Sequence, residues 1–273
     1  MHAGSAGAVE NPTRLSTFSL HCLPSVRGMT DIAIHATGLS KSYGDKFALR
    51  DLNLTVQSGE IFGLLGHNGA GKTTTVNLLT TLLTPTSGAI EVAGVDAAAD
   101  PNRVRRAIGY LPENVQFYDN LTTMENLRFF AKLSGLGKPD ARIREVLEYL
   151  DFTGHDHERV GSFSKGMRQR VGIAQAIVHE PSVLFLDEPT SGLDPEGVRQ
   201  LREVIVSLNR ELGMTIFMNT HLLSEVTKTC TSIGILRQGE LAYQDSLAAT
   251  LEAFPGEDSL EEIYLHVESA TSS

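Results

Sequence analysis

From residue 32 to residue 58, apolar and polar residues alternate, with breaks at Gly38, Gly44 and the Ser58-Gly59 turn. A period of two is the mark of half-buried strands, so this stretch predicts a small antiparallel β region. The continuous apolar run over 61–65 predicts a strand buried on both faces. A helix-compatible run follows over 72–83, closed by Pro85-Thr86-Ser87-Gly88, and 89–92 predict another strand. The pattern then changes. Few strand signals occur over 113–180, and apolar residues recur at helical spacing in 124–133 and 142–150. Beyond Ser182, short apolar strands return at 183–186, 215–219 and 233–236, with helices between them, notably 195–212. Strands alternating with helices imply a mostly parallel sheet. The predicted fold class is α/β: a mostly parallel sheet with a small antiparallel β region and a helical insertion at about 113–180. No internal repeat is visible.

Composition excludes several classes. The 273 residues suffice for one large domain or two small ones. A net charge of -10 argues against a nucleic-acid module, which normally shows a basic face, so no direct nucleic-acid partner is expected. No stretch approaches 18 consecutive apolar residues, so no spanning segment is expected. Cys22 and Cys230 have no metal or disulfide spacing and read as ordinary thiols. Residues 1–28 are rich in Ser, Gly, Ala and Pro, lack the basic lead-in of a signal peptide, and read as a disordered extension. The folded domain is placed at 29–273.

The chemistry begins at Gly66-His67-Asn68-Gly69-Ala70-Gly71-Lys72-Thr73, which fits the phosphate-cradling pattern G-x-x-x-x-G-K-[ST]. A predicted strand precedes it and a predicted helix follows. Backbone N–H groups of such a loop wrap phosphate oxygens, with the helix dipole behind them. Lys72 would place its ammonium on the β- and γ-phosphates, and Thr73 its hydroxyl on Mg²⁺. Thr74 completes the set of expected nucleotide contacts. Downstream, the strand 183–186 runs into Asp187-Glu188. Ligands of parallel sheets sit beyond the carboxyl ends of strands, so Asp187 is expected in the Mg²⁺ shell and Glu188 at the attacking water.

From here the chain resembles the ATP-binding subunits of ABC transporters, over roughly residues 31–265. Residues 163–167, Phe163-Ser164-Lys165-Gly166-Met167, resemble that family's signature segment, with Lys165 and Met167 in place of the commoner Gly and Gln. Ser164 is a good N-cap for a helix running toward His179, whose positive end would face an anion. The resemblance makes that anion the γ-phosphate held by the opposite subunit, contacted by Ser164 and Gly166. Ser191-Gly192-Leu193-Asp194 resembles the family's inter-subunit loop, which puts Asp194 at the nucleotide. His221 ends a strand where the family keeps a switch histidine, and Tyr43 sits where it keeps an adenine-stacking aromatic. Glu113, in Leu111-Pro112-Glu113-Asn114, takes the place of the family's usual Gln. Ionised Glu accepts but cannot donate hydrogen bonds, yet it can face Mg²⁺ or its waters.

The resemblance implies an ABC ATPase fold, with ATP and Mg²⁺ as cofactors and Glu188, His221 and Lys72 as the catalytic set. Thr73, Asp187 and Glu113 are the expected metal ligands. It further implies head-to-tail pairing of two subunits, and a separate polytopic membrane permease contacted through 114–130. Peripheral attachment to the cytoplasmic face of the membrane follows from that. Residues 165–170 and Leu260-Glu261-Glu262-Ile263-Tyr264-Leu265 look like the two-component exporter type. Gly66-His67-Asn68 and the stretch around Leu111 to Tyr118 are also similar to the ATPase of nitrous-oxide-reductase copper-site maturation. A soluble ABC ATPase of translation or DNA repair is the alternative; those usually carry two cassettes or a long coiled coil, and neither pattern is present here. A small-molecule P-loop kinase would lack the Ser164 and Ser191–Asp194 segments.

Overall fold

A computed structural model describes residues 32–253 and 259–269. The expected extension at 1–28, the start of the domain at 29–31 and Cys22 lie outside them. The described elements run β1 (Ile32–Tyr43), β2 (Lys46–Gln57), β3 (Ile61–Leu65), α1 (Lys72–Leu79), β4 (Ser87–Val92), β5 (Val95–Asp96) and α2 (Pro101–Ala107). They continue with β6 (Ile108–Leu111), α3 (Thr123–Leu133), α4 (Asp140–Tyr149), α5 (Lys165–Ile177), β7 (Val183–Asp187), α6 (Pro195–Leu212) and β8 (Thr215–Asn219). Last come α7 (Leu223–Thr229), β9 (Ser232–Arg237), β10 (Glu240–Ser246), α8 (Leu247–Ala253) and α9 (Ser259–Ser269).

Two sheets form. The alternating region makes an antiparallel sheet in the order β2-β1-β4-β5. The apolar runs make the larger one, β10-β9-β3-β8-β7-β6, parallel throughout except where β10 joins β9. Period-two alternation divides β3 between two cores: Phe62 and Leu64 face one, Ile61 and Leu65 the other. The first core lies between the sheets, where Phe217 packs between Phe62 and Phe185 with centroids 5.3 and 5.4 Å away. All three rings are fully buried, and truncating such a Phe to Ala costs about 3–5 kcal/mol.

The second core joins the sheet to α3, α4, α5 and α6 through Leu127, Ile143, Val146, Ile173 and Leu208. Helix α3 starts at a full capping box: Thr122 accepts from the Glu125 amide, and Glu125 accepts from the Thr122 amide. Helix α5 lies directly on β6. A Cβ at Gly109 would collide with the Ala176 carbonyl, and one at Gly172 with Leu111 and Val115. The bare backbone at these two glycines sets the distance between α5 and the sheet edge. One expectation needs correction. Helix α1 ends at Leu79, short of the 83 at which the apolar pattern stops. The Thr80 hydroxyl folds back on the Val76 carbonyl at 2.7 Å, and Thr81 turns into left-handed backbone at φ 60°. Leu82, in the turn that follows, is 61% exposed and packs no helix face.

Candidate functional site

The carboxyl ends of four adjacent parallel strands converge. Strand β3 feeds the phosphate loop, β8 leads to His221, β7 ends in Asp187, and β6 leads to Glu113. Register fixes their level: Leu64 pairs with Asn219, and Asn219 with Asp187. This is where parallel sheets hold their ligands.

The phosphate loop is built by backbone geometry. Gly71 caps α1 at φ 112°, and a Cβ there would press on the Ala48 carbonyl at 2.7 Å and on Leu49 at 2.8 Å. Only glycine reaches this conformation in this space. Ala70 is fully buried and anchors the loop, while His67, Asn68 and Gly69 form its exposed rim. Lys72 arches over the loop and donates to the carbonyls of Gly66 at 2.7 Å and His67 at 3.3 Å. Thr73 is exposed and Thr74 half-buried on the first turn of α1.

Three carboxylates gather here: Glu188 and Asp187 act on Lys72, and Glu113 acts on Asp187. Glu188 lies 4.0 Å from the Lys72 ammonium through Oε1, and 2.9 Å from His221 Nδ1 through Oε2. Burial pulls the Lys72 pKa down, against the upward influence of Glu188 and Asp187. Burial pushes the Asp187 carboxyl up. The neighbouring Asn219 side-chain amide opposes that push, and the charges of Glu188 and Glu113 add to it. Glu113 accepts from the Ser191 hydroxyl at 3.2 Å. The donors Thr73, Asp187 and Glu113 are all oxygens, the set that suits a hard cation such as Mg²⁺, and the crowded charge around Asp187 would be relieved by one.

The expected signature helix is α5. Its N-cap is Ser164, whose hydroxyl accepts from the Met167 amide at 3.3 Å, and no acidic residue occupies its first turn. Ser164, Lys165 and Gly166 line an open cleft of about 650 Å³ with Gly192, Leu193 and Asp194.

A family model described as "ABC transporter" matches residues 49–191. The chain is 45% identical over 208 residues to the bacitracin transport ATP-binding protein BcrA of Bacillus licheniformis, covering 76% of this chain and 68% of BcrA. It is 39% identical over 232 residues to the ABC transporter ATP-binding protein NatA of Bacillus subtilis (strain 168), covering 82% and 94%. This chain belongs to the ABC transporter family. It is an ATP-binding cassette of that family and an ATPase. A solved ATP-binding subunit of an ABC transporter superposes with a TM-score of 0.77 at 32% identity, covering 87% of this chain and 100% of its own. A dimeric cassette solved in a post-hydrolysis state with ADP and Pi superposes with a TM-score of 0.71 at 25% identity, covering 78% and 98%.

Elsewhere in the cassette, Tyr43 is 57% exposed at the end of β1, with the Lys41 ammonium 5.3 Å from its ring centre. An exposed, cation-flanked ring is free to stack on a base. Asp194 is the N-cap of α6, accepting from the Gly197 amide at 3.0 Å. In the segment 114–130, expected to contact a permease, the four aromatic rings divide. Phe117 packs against the helical core, while the exposed rings are Tyr118 and Phe129, edge to face at 5.2 Å. Asp119 beside them pairs with Arg168 of α5 at 2.6 Å. Two contributors escape the motif reading. The Tyr110 hydroxyl reaches Asp187 at 3.5 Å, and its pKa is pushed up to about 12 by burial and by that carboxylate. Asn219 accepts from the Glu188 backbone amide at 2.9 Å. Neither belongs to a short motif; Tyr110 lies one residue before the end of β6 and Asn219 ends β8.

Proposed function

We propose that two copies of this cassette, or this cassette and a similar one, sandwich ATP head to tail and drive a separate polytopic membrane permease, as an exporter. The observation that carries the chemistry is Glu188, held between Lys72 and His221 at the level of Asp187. The backbone amides of 66–73 and the Lys72 ammonium bind the β- and γ-phosphates, with Tyr43 against the adenine. Thr73, Asp187 and Glu113 would hold Mg²⁺, which supplies neutralisation of phosphate charge. Glu188 accepts a hydrogen bond from the water. The water oxygen attacks the γ-phosphorus in line, the bond to the bridging oxygen breaks, and ADP leaves with the electron pair. His221 holds the Glu188 carboxylate and faces the γ-phosphate. The second copy's Ser164 and Gly166 close the site, in a two-fold arrangement where each copy completes the other.

The exporter assignment draws on relatives whose names describe bacitracin transport and linearmycin resistance. Attachment to the cytoplasmic face of a membrane follows from a permease partner; among the described residues no helix is long and apolar enough to cross one. The exposed Tyr118–Phe129 pair is the docking patch. Paired aromatics at a surface are the anchors that interfaces use. The Asp119–Arg168 ion pair links that patch to the signature helix, so nucleotide closure and permease contact move together.

The test is co-purification. The cassette, co-expressed with a candidate polytopic membrane permease, is expected to purify as a complex. Tyr118→Ala with Phe129→Ala should strip it from that complex while the free cassette hydrolyses ATP at its original rate. A double variant that stays bound and supports transport would remove the patch from the interface.

A further inference from the structure

Strand β8 ends in Asn219, two residues ahead of His221, and its side chain is wholly buried. A buried amide is costly unless its polar atoms are used. Half of this one is used on the catalytic turn. The Glu188 amide donates to the Asn219 backbone carbonyl at 3.2 Å and to its side-chain Oδ1 at 2.9 Å. Glu188 stands in left-handed backbone at φ 46°, a strained conformation for a non-glycine residue that persists only where its surroundings hold it. The other half, Nδ2, is buried with no acceptor in full hydrogen-bond geometry; the carboxylate it approaches is Asp187.

We propose that Asn219 is a positioning residue for hydrolysis: Oδ1 clamps the left-handed turn that aims the Glu188 carboxylate between Lys72 and His221. The inference rests on the reading of Glu188 as the group that orients the attacking water. The reason is directional. Beyond Asp187 the strand ladder stops, and the two hydrogen bonds from the Glu188 amide tie the next residue to β8. Without Oδ1, one of the two is gone, the strained φ is held less firmly, and the carboxylate samples positions off the line of attack. Misplacement of about 1 Å is enough to lower a rate by about a hundredfold.

The test compares Asn219→Leu, near-isosteric but without polar atoms, and Asn219→Ser, too short to reach the Glu188 amide, with the original protein. Rates are expressed per subunit that binds a fluorescent ATP analogue, so loss of folded protein does not count as loss of turnover. Both variants are expected to lower kcat between about tenfold and a hundredfold, with nucleotide affinity changed by less than about threefold. The same changes are then made on a Glu188→Gln background, where they should alter the residual rate by less than about twofold, because the residue they act through is already disabled. An undiminished kcat in either folded variant, or an equal further loss on the Glu188→Gln background, overturns the proposal. If Glu188→Gln itself turns over at the original rate, it is the reading of Glu188 that fails, which separates the two outcomes.

Discussion

Replacing Glu188 by Gln removes one negative charge and almost no volume. In the structure that charge sits 4.0 Å from Lys72, with the Lys72 and Glu188 side chains only 7% and 14% exposed. At an effective dielectric near 20 the pair is worth about 4 kcal/mol before desolvation. Burial nevertheless lowers the Lys72 pKa overall, so desolvation exceeds this attraction. The pair is therefore a poor stabiliser of the fold, and Gln keeps an oxygen for His221, so the melting temperature should move by no more than a few degrees. Binding should not suffer, because an anionic nucleotide meets two carboxylates instead of three. Chemistry should. A positioned acceptor contributes about 10²–10⁴ in rate, or roughly 3–5 kcal/mol of barrier. The assay is steady-state phosphate release beside equilibrium binding of a fluorescent ATP analogue. The expected result is a fall of at least about a hundredfold in kcat with equal or tighter nucleotide binding. Hydrolysis within about threefold of the original rate, or loss of binding, would refute the role given to Glu188.

Two further outcomes follow from local geometry. Gly71→Ala forces a Cβ into the Ala48 carbonyl at positive φ, so nucleotide binding should be lost, whereas Gly69→Ala, with nothing within 4 Å, should lower the melting temperature less; equal behaviour of the two in binding and melting assays would contradict the steric argument. His179 donates from Nε2 to the Ile108 carbonyl at 2.9 Å and keeps Nδ1 buried without a partner, and burial holds its pKa below the ordinary 6.5. As pH falls through that ordinary value the unfolded chain takes up the proton before the folded one, so stability is lost below it. His179→Gln should flatten the fall in melting temperature from about pH 7.5 to about pH 5.5, and an unchanged slope would count against it.

Much of the fold is visible in the periodicity. The buried parallel strands β3, β7, β8 and β9 read as apolar runs because both faces are covered. Strand β6 does not: its four residues include Gly109, whose place is set by close packing under α5 rather than by any local preference. The pattern overextends helix α1 because Leu82 and Leu83 continue an apolar rhythm that Thr80 and Thr81 interrupt through hydrogen bonding and backbone angle, which hydrophobicity does not encode. At the site, the phosphate loop and Asp187-Glu188 carry their chemistry in consecutive residues and are readable as such. Tyr110 and Asn219 become relevant only through pairing between strands far apart in the chain. The aromatic cluster is legible as a cluster, but which rings face outward depends on how α3 seats on α5, so Phe117 packs inward while Tyr118 and Phe129 face out.

The central claim is that each ATP is held by the phosphate loop of one copy and by Ser164 of the other. Complementation between two inactive variants tests it most directly. Lys72→Ala disables the loop and Ser164→Arg disables the opposing surface, so each homodimer has two broken sites. In a mixed dimer both lesions fall in one site, and the other combines an intact loop with an intact Ser164. Random mixing makes about half the dimers mixed, each with one working site of two, so about a quarter of the original ATPase rate should appear on mixing. A mixture that stays as inactive as its components, while each variant alone still pairs with the unaltered protein, would place Ser164 and the phosphate loop in the same subunit's site and contradict the head-to-tail arrangement.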